Sequence, residues 1–133
     1  PSWNSATNEL TYVRAGQNPP ILYNPSRTPA YAKFEAEGLV LGLDPGPRFN
    51  SVMARETVVL QPGDDLLFYT DGLVEAQDPG GEEFGIQRLY EHLRYHRETD
   101  PQESVNLLAE QIEVFSRGAP QEDDLTTILM RLE

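Results

Sequence analysis

The stretch "LLFYTDGLVEA", residues 66–76, constrains the fold more than any other part of the chain. Strand-like hydrophobic and aromatic residues run from Leu66 to Thr70 and end directly on a carboxylate, Asp71, with Gly72 behind it. Aromatic side chains suit a buried, pleated surface. A charge at the end of such a strand has to be solvated, paired or used. Asp–Gly is a common turn, and an Asp at a strand terminus also serves as a metal ligand. Locally, both readings stand.

The flanking segments supply the fold class. "ELTYVRAG" alternates polar and apolar residues over 9–15, the mark of a half-buried strand. Pro19 and Pro20 turn the chain, and "ILY" resumes the ladder. Residues 24–50 are rich in Pro and Gly, with apolar pieces at 31–34 and 39–43, and read as an irregular loop region. "ARETVVLQPGDDLLFYT" reads as a hairpin, with strands at 54–60 and 65–70 and a turn at 62–64.

A helix is expected over 84–97, with Ile86, Leu89, Tyr90 and Leu93 on one face. A second begins at Asp100 as N-cap, with Pro101 at its first position and Glu103 three residues past the cap. Val105, Leu108, Ile112 and Phe115 form its stripe, and Gly118 ends it. "LTTILMRL" is the last strand. Strands, a helix pair and a final strand give an α+β fold in which helices cover an antiparallel sheet.

The chain of 133 residues fits one domain, and 38% hydrophobic content argues against disorder. With 22 acidic against 10 basic residues the formal charge is −12, which disfavours nucleic acid and anionic membrane as partners. Most of these acids read as solvated surface. The clusters Asp64-Asp65, Glu82-Glu83 and Glu122-Asp123-Asp124 could also gather divalent cations. Cysteine is absent, which excludes disulfides, thiolate catalysis and zinc–thiolate sites. No apolar run approaches a membrane span, so a cytoplasmic location is expected. "PSWNSATNEL" shows no targeting pattern and no element start, so the chain is expected to begin partway through a larger domain.

Asp71 ends one apolar strand, and Asp123 or Asp124 stands immediately before another. If those strands are antiparallel neighbours, the carboxylates converge at one rim. Like charges so placed call for a cation between them. Mg²⁺ and Mn²⁺ suit all-oxygen, water-rich sites. Gly72 would let the backbone turn sharply there.

"YTDGLVEA", "GEEFGIQRL" and "QEDDLTTILMRL" together resemble the serine phosphatases typified by stage II sporulation protein E and RsbU, a bacterial branch of the metal-dependent protein phosphatase 2C superfamily. "NELTYVRAGQNPPILY" and "GLVLGL" resemble the same family in the same order. The resemblance implies an antiparallel β-sandwich flanked by helices, and a chain, 1–133, that forms the C-terminal part of one phosphatase domain. It implies hydrolysis of phosphoserine or phosphothreonine on a protein such as a phosphorylated anti-sigma-factor antagonist, in a pathway with an upstream sensor domain. Asp71 carries over as a metal ligand from the family's "[ST]DG" motif, with Gly72 beside it. Asp123 matches the Asp of "D[ND]xT", with Asp124 next and Thr126 in the Thr position. Glu75 falls where related phosphatases place an acid near a weaker third metal. Two ions, Mn²⁺ or Mg²⁺, acidify a shared water and clamp the phosphate oxygens.

The sequence departs from the family at Gln17, where His is usual, and at Val40, where Pro is usual. The family's earlier Asp-rich motif has no counterpart before Glu9, so the fragment alone is expected to be inactive or nearly so. A non-catalytic interaction module built on the same fold is the alternative. Exposed sheet edges favour a homodimer or larger assembly.

Other residues read as structural. His92 and His96 have metal-pair spacing but flank a helix stripe, which favours a partly exposed helix face. "PGDD" reads as a turn with exposed acids, and "DPGGEEFG" as a mobile flap or turn. Arg14, Arg27, Arg48 and Arg55 are candidates to meet a substrate phosphate, with nothing to select one.

Overall fold

The apolar run that ends at Thr70 is a strand covered on both faces. The structure, a computed structural model, describes residues 1–44, 46–121 and 123–133. The strands are β1 (Ser2–Asn4), β2 (Glu9–Tyr12), β3 (Ile21–Tyr23), β4 (Tyr31–Lys33), β5 (Glu56–Val59), β6 (Asp65–Tyr69) and β7 (Thr127–Arg131). The helices are α1 (Pro47–Val52), α2 (Asp71–Val74), α3 (Gly85–Tyr95) and α4 (Pro101–Ser116). One antiparallel sheet has the order β1-β2-β5, and the other β4-β3-β6-β7.

Successive side chains of a strand point to opposite faces, and here the faces have different partners. Ile21, Tyr23, Leu67 and Tyr69 pack with Leu89 and Leu93 of α3 and Leu108 and Ile112 of α4. Leu22 and Leu66 point the other way, into a core shared with Leu10 and Tyr12 of the first sheet and with Phe34 and Leu60. The layers are therefore sheet, sheet and helices, the α+β antiparallel arrangement expected. Leu66 and Leu67 are 0% and 1% exposed, and burying each contributes about 1.5–3 kcal/mol.

The expected hairpin across 62–64 does not form. β5 pairs with β2, whereas β6 pairs with β3 and β7, so the turn carries the chain from one sheet to the other. Asp64 is the reason. Instead of being exposed, it is 1% exposed and accepts from Asn24 Nδ2 and Arg27 Nε at 2.8 Å and from Gln61 N at 2.7 Å. These bonds tie the turn to the loop after β3. Asp65 is likewise buried, with Arg131 Nε and Nη2 at 2.6 and 2.9 Å from its two oxygens and Arg97 Nη1 at 3.9 Å. A charge can be buried this completely only when paired and hydrogen-bonded.

Other boundaries also move. "ILY" belongs to the second sheet and does not continue the ladder of β2. Ser2–Asn4 forms an edge strand that no periodicity announced, β4 lies within the stretch read as loop, and α1 begins within it. α4 ends at Ser116, with Arg117 left-handed at φ 47° just before Gly118. No helix among the described residues is long and apolar enough to cross a membrane.

Candidate functional site

The pairing of β6 with β7 sets what lies beside Asp71. Tyr69 stands opposite Thr127, and the ladder continues one step further, with Thr70 N donating to Thr126 O at 3.1 Å. The chain then leaves into α2, with Asp71 in its first turn. β7 is entered from Asp123 and Asp124 on the same rim. Thr70 closes the junction with its side chain: Oγ1 donates to Asp124 O at 2.8 Å and accepts from Thr126 N at 3.0 Å.

Gly72 is buried against this junction. A Cβ there would lie 2.9 Å from Asp124 O and 3.2 Å from Asp123 C and Cβ. Gly72 is absent from the glycines with positive φ, so the sharp turn expected of it is not what it provides. Close approach of two backbones requires glycine here.

Asp71, Glu75, Asp123 and Asp124 are all exposed. Asp71 Oδ1 accepts from Gly72 N at 3.1 Å and Asp123 Oδ1 from Asp124 N at 2.8 Å, so one oxygen of each carboxylate secures its own backbone. Among the described residues no Arg, Lys or His pairs with these four acids. Uncommitted carboxylate oxygens on a fixed rim are the donors a hard divalent cation takes, so the residues fit Mg²⁺ or Mn²⁺. Among the described residues no group of three or more His, Cys, Asp or Glu side chains forms a ligand set.

A groove of about 1060 Å³ opens beside the rim, between the segment 75–83 and the end of α4, and is lined in part by Glu75, Glu83, Glu113, Arg117 and Asp123. The segment 77–83 is a closed turn. Gln77 bridges Glu83, and Asp78 Oδ1 accepts from Gly80 N at 2.8 Å and Glu82 N at 2.9 Å.

Several of the remaining candidates are engaged elsewhere. Asp64 and Asp65 are bound to arginines, and Glu82 pairs with Arg88 at 2.5 Å. Glu122 lies outside the described residues. Arg27 is spent on Asp64, and Arg14 donates to Ala36 O and Gln17 O at 3.0 and 3.3 Å. Arg48 and Arg55 are exposed. His92 is buried, not partly exposed: Nδ1 lies 3.1 Å from Gln111 Oε1 and Nε2 3.0 Å from Ser104 O. Burial, reinforced by the neighbouring His96, holds its pKa below the ordinary histidine value. Its contacts lock α3 to α4 and leave no ring nitrogen for a metal. Thr70 is the residue sequence reasoning passed over, although a Thr directly before Asp–Gly was there to be noticed.

Residues 2–133 match the stage II sporulation protein E (SpoIIE) family. Protein IcfG of Synechocystis sp. is 29% identical over 119 residues, which is 90% of this chain and 18% of that protein. The PP2C domain of SiaA from Pseudomonas aeruginosa superposes with a TM-score of 0.77 at 19% identity, covering 96% of this chain and 48% of that one. The phosphatase domain of the cell fate determinant SpoIIE from Bacillus subtilis, presoaked with Mn, gives 0.65 at 20% identity, covering 99% and 54%. The chain thus spans about half of these phosphatase domains and less of IcfG. Its two sheets and outer helices share the PP2C fold of these structures, and the chain belongs to the stage II sporulation protein E (SpoIIE) family.

Proposed function

We propose that this chain contributes to metal-dependent hydrolysis of phosphoserine or phosphothreonine on a regulatory protein, of the anti-sigma-factor antagonist type. The observation that supports the reading is the antiparallel pairing of β6 with β7, which brings Asp71 and Asp123 to one rim, with Gly72 seated against the 123–124 backbone. Asp71 and Asp123 are the proposed Mn²⁺ or Mg²⁺ ligands, Asp124 completes the rim and Glu75 stands toward a weaker third cation. The Mn-presoaked structure of the Bacillus subtilis SpoIIE domain supports this choice of cation. Divalent cations supply charge neutralisation at the phosphoryl oxygens and activation of a water for in-line displacement. The chain's own residues set both carboxylates at this rim, with one oxygen of each anchored to its neighbouring backbone. The groove beside them accepts the polypeptide that bears the phosphate.

The rim carries part of a ligand set, so the 133 residues alone hydrolyse phosphoserine far below an enzyme's usual turnover of about 10 s⁻¹. Calorimetric titration of Mn²⁺ into wild type and Asp71→Asn tests the ligand assignment: binding is lost in the variant, and equal binding refutes it. Phosphate release by the isolated chain at a normal enzymatic rate refutes the partial-site reading. The incomplete ligand set also favours a second reading, a non-catalytic module that binds a regulatory protein. Metal-independent capture of the phosphoprotein that survives Asp71→Asn would select it.

A further inference from the structure

We infer that Thr70 is a positioning residue for the candidate metal centre: its hydroxyl fixes the Asp123–Asp124 segment against Asp71, and its loss weakens divalent-cation binding. This inference rests on the metal reading proposed above.

Thr70 occupies the N-cap position of α2, with extended backbone at φ −88° and ψ 160°. A threonine there ordinarily turns its oxygen onto the helix's own free N–H groups. This one makes no such bond. Its hydroxyl crosses to the other strand, donating to Asp124 O at 2.8 Å and accepting from Thr126 N at 3.0 Å. Donor and acceptor are both spent on the residues that lead β7 away from the rim. The backbone bond from Thr70 N to Thr126 O makes the attachment threefold.

The attachment matters because, among the described residues, little else holds 123–126. Asp123, Asp124, Leu125 and Thr126 are all exposed, so burial does not fix them. Among the described residues, Asp123 Oδ1 and Gln121 Nε2 bond locally, to Asp124 N and Asp123 O. Steric contact with Gly72 limits how near the segment can come, and the Thr70 hydroxyl limits how far it can go. Partners that orient metal ligands typically govern affinity by about 10–100-fold.

The test uses the 133-residue chain, ¹⁵N-labelled, with Mn²⁺ as probe and paramagnetic broadening of the Asp71, Gly72, Asp123 and Asp124 amides as readout. Thr70→Val keeps the shape and removes both bonds, and Thr70→Ser keeps the hydroxyl. Tyr31→Phe, which removes the Tyr31 Oη bond to Tyr90 O at the far edge of the sheet, controls for lost stability. The expected result is an apparent affinity about 10–100-fold weaker in Thr70→Val, with Thr70→Ser and Tyr31→Phe near wild type. Faster amide exchange at Asp124 and Thr126 in metal-free Thr70→Val is expected alongside. Wild-type affinity in Thr70→Val, or equal losses in Thr70→Ser and Thr70→Val, overturns the inference while the ligand assignment stands. Broadening that Asp71→Asn leaves unchanged overturns the ligand assignment and this inference with it.

Discussion

Replacing Gly72 by Ala puts the backbone contact at the rim to a quantitative test. In an ordinary helical turn the exchange stabilises by about 0.5–1 kcal/mol, because alanine has less backbone freedom to lose. Gly72 lies in α2 without positive φ, so this gain applies to it. Against it stands a Cβ placed 2.9 Å from Asp124 O and 3.2 Å from Asp123 C and Cβ. The first of these is a backbone atom, held in turn by the Thr70 hydroxyl at 2.8 Å, so it cannot swing aside as a side-chain tip would. Relieving the contact means moving the 123–124 segment by roughly 0.5 Å, and overpacking of this kind costs about 1–3 kcal/mol. The net expectation is a loss of about 1–2 kcal/mol, read as a lower urea midpoint at unchanged slope. Shifts of the Asp123, Asp124 and Thr126 amide resonances should accompany it. A variant as stable as wild type, with those resonances unmoved, would show that the two backbones do not meet as described.

Three further outcomes follow from the pairing and capping elsewhere. Arg27→Ala strips the buried Asp64 carboxylate of its cation and should cost about 3 kcal/mol in urea unfolding, with the m-value unchanged. Asp100→Ala removes the acceptor for Gln102 N and Glu103 N at the start of α4, and should cost about 1 kcal/mol with loss of helix protection in hydrogen exchange. His92, faced by His96 just past the end of its helix and by Gln111 and Ser104 on α4, has a folded pKa depressed by burial. The unfolded chain then binds the proton more readily, so this contribution is complete above about pH 6.5 and erodes as pH falls below it. Urea midpoints should drop on acidification through that window and do so less in His92→Gln; an equal drop in both would exclude His92 as the cause.

What the sequence made legible was local. The start of α4 could be read from Asp100, Pro101 and Glu103, because a cap is satisfied within one turn, and Asp100 does accept from the two N–H groups it should. The stripe of Leu89 and Leu93 gave α3 for the same reason. The antiparallel pairing of β6 with β7, which sets Asp71 and Asp123 at the same end of the two strands, was also readable from a strand ending and another beginning on Asp. Sheet membership was not readable. Pro62–Gly63–Asp64 has the chemistry of a hairpin turn, and only the distant Asn24 and Arg27 reveal that its Asp is buried. His92 was misread similarly, because its partners Ser104 and Gln111 lie on another helix. Thr70 escaped notice because its type predicts a cap, and its bonds to Asp124 and Thr126 span more than fifty positions of the chain.

These non-local contacts act together on the rim. The ladder between β6 and β7 runs from Asp65 opposite Arg131 to Tyr69 opposite Thr127. One end is pinned by the paired bonds of Arg131 to the buried Asp65 carboxylate, and the other by the Thr70 hydroxyl. A slip of one residue would carry Leu67 and Tyr69 to the face where Leu66 belongs, so the two cores also resist it. Such a slip would displace Asp123 from Asp71 by about 3.3 Å, while metal–ligand distances tolerate only about 0.2 Å. Under the proposed metal reading, the buried Asp65–Arg131 pair at one end of this ladder helps keep the carboxylates at the other end in register. That gives a physical reason for burying Asp65, whereas Asp64 instead ties the turn to the loop after β3 through Asn24 and Arg27.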